Sequence, residues 1–115
     1  MLIFGIETSC DETAASIVED GVKEICSVVS SSKEFHEKTG GIVPEVAARK
    51  QVESIVPVIS ECFEKAFFIA TEELKKRGEM VGADAIICMR QDIDMDTNGF
   101  AFFYLQMYGT AVKFR

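Results

Sequence analysis

Helical periodicity runs through residues 44–81, and strand-forming runs lie on both sides of it. That layout excludes an all-α and an all-β fold. A helix of such length must bury an apolar stripe, and the flanking runs offer sheet surface for it. Pro44 fits the first turn of a helix, where its missing N–H costs nothing. Apolar positions then recur at 48, 52, 55, 59 and 62, the spacing of one helix face. Pro57 sits inside this pattern and is expected to kink it near residues 53–56. Residues 66–81 read as a second helix. There Ala70, Leu74, Gly78 and Gly82 recur every four residues, opposite Glu72, Glu73, Lys75, Lys76 and Glu79. Gly78 costs ~1 kcal/mol relative to Ala in a helix, so a close packing contact is expected at it. Gly82 is expected to end the helix.

Before the helical middle, residues 2–6 form an apolar run and residues 14–18 a second, closed by Glu19-Asp20-Gly21. Asp-Gly is a hairpin signal. With the apolar run at 22–30, the first thirty residues read as an antiparallel three-strand meander. Ser30-Ser31-Ser32-Lys33 marks a loop or helix start, and Gly40-Gly41 a break. After the helices, residues 85–89 read as a strand. Asp92, Asp94, Asp96, Asn98 and Gly99 make a polar tip, and an aromatic strand follows with Phe100, Phe102, Phe103, Tyr104, Tyr108 and Phe114. Asn98-Gly99 is expected to turn this hairpin. The order is β-β-β-α-α-β-β, an α+β (or α/β) fold.

Charge narrows the partners. Residues 1–66 carry 12 acids against 6 bases and residues 67–115 carry 7 against 6, within a net charge of −7. Neither half is basic, so nucleic-acid binding through phosphates is not expected. Lys75, Lys76 and Arg77 read as a solvated face. No apolar run approaches the ~18 residues of a membrane span. The start lacks a basic region before its apolar residues, so no signal peptide and a cytoplasmic location are expected. The spacing of Cys10, Cys26, Cys62 and Cys88 contains no CxxC, so no structural zinc site is indicated. Cys26, Cys62 and Cys88 read as small buried hydrophobes, whereas Cys10 lies beside polar loop residues.

Gly5-Ile6-Glu7-Thr8-Ser9-Cys10-Asp11-Glu12-Thr13 is a distinctive string. It is followed by His36, Gly40-Gly41-Ile42-Val43-Pro44-Glu45, Ala47 and Arg49, in that order. Residues 1–65 thereby resemble the start of the tRNA threonylcarbamoyladenosine synthase (Gcp) family, once called O-sialoglycoprotein endopeptidase. The resemblance implies the opening strands of an actin-like ATPase fold. It also implies a nucleotide-binding role for Thr8, Ser9 and Cys10 and a catalytic inheritance for Asp11 and Glu12. A strand followed by a polar loop can face phosphates, although Thr8, Ser9 and Asp11 can equally make only turn hydrogen bonds. Family members are much longer, and their metal-binding histidine pair lies beyond the matched segment. Here the single histidine, His36, reads as a surface or capping residue.

Residues 66–115 carry a second set of motifs. Ala70, Leu74 and Gly78, then Val81-Gly82-Ala83-Asp84-Ala85-Ile86-Ile87 and Tyr108-Gly109-Thr110-Ala111-Val112, resemble the C-terminal half of the YbjQ family. Those are small ring-forming α+β proteins sometimes labelled heavy-metal-binding. Asp92, Asp94 and Asp96 alternate along a strand and are a weak candidate for a hard cation. The string lacks the glycine and distal glutamate of an EF-hand loop, so a solvated tip is favoured.

The chain therefore reads as a single compact domain, residues 1–115, joined from two segments with a seam near Ala66. Its expected function is a small soluble oligomerising module without catalysis of its own and without a cofactor. Phe67 and Phe68 cannot share one narrow helix stripe, so one is expected to meet a partner chain, with packing in the chain's own core as the other reading. Two alternatives stand beside this. One is a vestigial nucleotide-binding part of a tRNA-modifying enzyme, using ATP and a divalent metal. The other is a metal-binding YbjQ-like protein.

Overall fold

The computed structural model describes residues 2–96 and 102–115, with side chains described outside 93–104. It is a mixed α and β chain with two compact units, Met1–Glu64 and Lys65–Arg115. The strands are β1 (Leu2–Glu7), β2 (Glu12–Glu19), β3 (Lys23–Ser31), β4 (Ala85–Asp96) and β5 (Phe102–Val112). The helices are α1 (Lys33–Lys38) and α2 (Pro44–Met80).

The first unit contains the expected meander. β1, β2 and β3 form an antiparallel sheet in that order, with Phe4 opposite Ile17 and Ala15 opposite Val28. Asp20 and Gly21 both adopt positive φ, 52° and 71°, and Val22 N–H donates to Glu19 O at 3.1 Å. That is the geometry of a type I′ turn, whose twist suits a hairpin and which Asp-Gly adopts at low cost. Thr13, Ala15 and Ile17 on β2 and Cys26 and Val28 on β3 are buried, the two-residue period of a half-covered sheet. Ala47, Val58 and Cys62 of α2 are buried as well. Cys26 Sγ donates to Cys62 O at 3.4 Å and lies 3.7 Å from Cys62 Sγ, while Phe4 stacks on Phe63 with centroids 5.0 Å apart.

The element order matches expectation in its letters, but the helices differ. Where the sequence suggests two helices, Pro44–Met80 is one helix of 37 residues that runs through Pro57. Proline removes one N–H donor. Helical bonds on both sides and burial of Val58 and Cys62 hold the chain across that gap. The other helix is α1, six residues that begin where the serine run was read as a loop or helix start.

In the second unit α2 closes as its glycine requires. Gly82 has φ 70°, its N–H donates to Glu79 O at 2.9 Å, and Ala83 N–H donates to Gly78 O at 3.0 Å. This pair of bonds is a Schellman cap. β4 and β5 pair antiparallel, with Ala85 opposite Val112 and Asp96 opposite Phe102. Gly78 has the expected packing role, because a Cβ there would lie 2.9 Å from Ile86 Cδ1. A Cβ on Gly109 would lie 2.6 Å from Ile86 Cγ2 and 3.2 Å from Ile87 O. Cys88, expected to be buried, is exposed. It lies in a register shift between Ile87 and Arg90 with φ 53°, and a bulge there breaks the alternation that would turn it inward. The expected Asn98-Gly99 turn and Phe100 lie outside the described residues.

Candidate functional site

The residues singled out from the sequence, Thr8, Ser9, Cys10, Asp11 and Glu12, fall on the connection between β1 and the start of β2. Thr8, Ser9, Cys10 and Glu12 are exposed and Asp11 is half-buried. A short hairpin connection cannot satisfy all of its own backbone groups, and the surroundings supply the rest. Glu12 N–H donates to Ser9 O at 2.7 Å, closing a turn, and Ser9 N–H donates to Glu7 Oε1 at 2.7 Å. From α2, Gln51 Nε2 donates to Thr8 O at 2.8 Å. From the end of β3, Ser32 places two donors on one carbonyl. Its N–H lies 2.7 Å and its Oγ 3.1 Å from Asp11 O. The turn hydrogen bonds that the sequence left open are thus present, and they involve mostly backbone. Thr8, Ser9 and Glu12 remain accessible to solvent.

His36 is corrected by the structure. It is 4% exposed, so it is a buried residue and not a surface one. Its Nε2 lies 3.1 Å from Ser32 Oγ, and its ring meets Phe35 edge-on at 6.2 Å. Lys50 on α2 sits 5.5 Å over the Phe35 ring and donates to Glu53 Oε2 at 2.8 Å. That hydrogen bond, with the lysine charge behind it, holds the Glu53 carboxyl below its ordinary value of 4.5.

Sequence reasoning missed Glu7, Ser32 and Gln51 as the residues that hold the 8–12 loop. Glu7 had a local signal, a carboxylate two residues before the N–H it accepts. Gln51 had none, because 43 positions separate it from Thr8.

His36 Nε2 is committed to Ser32, and no group of three His, Cys, Asp or Glu among the described residues is placed to hold an ion. The loop's side chains therefore do not form a metal site by themselves. Its exposed hydroxyls suit a phosphate, but Glu7, Asp11 and Glu12 repel one unless a cation intervenes.

In the second unit Tyr108 Oη donates to Asp92 Oδ2 at 3.3 Å. The side chains of Asp94 and Asp96 lie outside the described residues, so the three-carboxylate reading does too. Lys75 and Arg77 pair with Glu72 and Glu73 at 2.7 and 3.4 Å along the helix surface. A groove of about 350 Å³ lies between α2 and β5, lined by Leu74, Arg77, Met107 and Tyr108 among others. Among the described residues no helix is long and apolar enough to cross a membrane.

Residues 23–75 match the model of a family of RNA-modifying transferases, TsaD, tRNA N6-adenosine threonylcarbamoyltransferase. The match runs through β3, α1 and most of α2, and it passes Ala66 into the second unit. The 8–12 loop lies outside it. Curated proteins of that name are similar over 66 residues, 57% of this chain. The protein from Dehalococcoides mccartyi is 54% identical and that from Bacillus subtilis 56%. The chain spans about a fifth of their length, 20% and 19%.

Proposed function

We propose that the first unit is the opening segment of a tRNA N6-adenosine threonylcarbamoyltransferase-type enzyme, with an actin-like arrangement of its first strands. In this reading the 8–12 loop forms the nucleotide side of its site. The observation that carries it is the loop itself. An exposed polar turn has its backbone fixed by Glu7, Ser32 and Gln51, while Thr8 and Ser9 stay accessible to solvent. Thr8 and Ser9 would donate to phosphate oxygens, and Asp11 and Glu12 would hold a cation together with the nucleotide or orient the acceptor. In this reading the 8–12 loop is one side of such a site. Thermal unfolding with millimolar ATP and Mg²⁺ tests the reading. Ligand at ten times its Kd adds about 1.4 kcal/mol, which is a visible rise in Tm. An unchanged Tm counts against it.

A second reading concerns the second unit, where Phe68, Met80, Val81 and Phe114 are exposed. Such a surface suits self-association, as the YbjQ resemblance implies. Light scattering then gives a mass several times 12.7 kDa. A monomer at high concentration sinks this reading, and calorimetry with Ca²⁺, Mg²⁺ and Zn²⁺ decides the metal-binding one.

A further inference from the structure

Ser32 occupies the N-cap position of α1, yet its hydroxyl makes no capping bond. A serine there ordinarily accepts from the backbone N–H of the second or third helical residue. This one turns away and donates to Asp11 O. Its single proton is then used, so toward His36 it can only accept, and the proton between them belongs to His36 Nε2. That assignment leaves Nδ1 as a bare acceptor. Nδ1 is buried and has no hydrogen-bond partner among the described residues. An unmet buried acceptor is unfavourable, and an apolar side chain in its place would avoid that cost. What the imidazole contributes is the Nε2–H, and it acts on the one hydroxyl that has been diverted from its own helix to the loop.

We infer that His36 is a positioning residue for the 8–12 loop, acting through Ser32. It orients the hydroxyl so that the Asp11 carbonyl accepts two donors at once, from Ser32 N–H and Ser32 Oγ. A carbonyl with both lone pairs engaged cannot rotate without losing two bonds. The peptide between Asp11 and Glu12 is thereby held, and with it the directions of the two carboxylates. The inference rests on the reading of this loop as the nucleotide side, but its mechanical content can be measured without nucleotide.

The first test uses the unaltered chain. Imidazole ¹⁵N resonances report which nitrogen carries the proton. A proton on Nε2 is expected, and a proton on Nδ1 overturns the inference. The second test is amide hydrogen exchange at Ser32 and Glu12. His36→Leu should speed exchange at both by about tenfold or more, with Ala15 and Ile17 in β2 unchanged. His36→Gln, whose amide can present a donor at a similar reach, should restore slow exchange. Equal behaviour of the two variants overturns the inference. If His36→Leu does not fold, Ser32→Ala serves instead. It keeps the backbone donor and removes the hydroxyl, and unchanged exchange at Glu12 contradicts the proposal. Failure of ATP to bind would remove the functional reading and leave the exchange pattern standing. ATP binding with unaltered exchange in His36→Leu would do the reverse.

Discussion

In the first unit a short turn is fastened by residues 43 and 21 positions away, Gln51 to Thr8 O and Ser32 to Asp11 O. In the second unit one side chain, Ile86, lies where a Cβ on either Gly78 or Gly109 would stand, and both glycines leave room for it. Buried residues follow the same division. Among those described, Thr13, Ala15, Ile17, Cys26, Val28, His36, Ala47, Val58 and Cys62 are buried in the first unit. Ala66 and Gly78 are their counterparts in the second. The comparison teaches that two α and β units can be held in different ways. One relies on an apolar layer with long-range polar ties, the other on backbones brought close where Cβ atoms are missing.

The most damaging change in the first unit should be Ile17→Ala, which leaves a cavity under a 5% exposed side chain. A loss of about 3 kcal/mol is expected in chemical denaturation. Gly109→Ala should cost the second unit about 2 kcal/mol, since the new methyl meets Ile86 and the Ile87 carbonyl, which is backbone and cannot move aside cheaply. A loss under about 0.5 kcal/mol there would break the contrast between the units. Gly78→Ala discriminates more finely. The helix gains about 1 kcal/mol of propensity. The clash is with the flexible end of Ile86, so the net change should be near zero.

Gln51→Ala should cost only about 0.5 kcal/mol, as its bond to Thr8 O is exposed, while loosening the loop. Hydrogen exchange around residues 8–12 would reveal the loosening. A small effect is expected at the exposed Glu53. Its pKa is held below 4.5 by Lys50, so the pair's contribution is present above the unfolded value and is lost as pH falls through the lower folded one. An NMR titration should place Glu53 below 4.5, and Lys50→Met should return it.

Much of this was legible beforehand because it is local. Asp20-Gly21 announces its turn through the φ values only such residues adopt readily, and Gly82 announces its cap. Gly78 was flagged by its cost within a helix. The single long helix was harder to read, because a proline has a known local penalty and an unknown tertiary offset. Cys88 was misread because a bulge reverses the inward-outward alternation without leaving a sequence mark. The loop residues were found by resemblance. The groups that hold the loop were not, since the ties from Ser32 and Gln51 depend on where β3 and α2 lie in space.

The 8–12 loop is a held turn in a segment similar to threonylcarbamoyltransferases, and the proposed function has it face a nucleotide. Its most direct test is an NMR titration of the full chain with ATP and Mg²⁺, following backbone amides. The account predicts saturable shifts at residues 8–12 and at Ser32, with the hairpin amides of β4 and β5 unmoved. No shift at millimolar ATP, or shifts confined to the groove between α2 and β5, would contradict it.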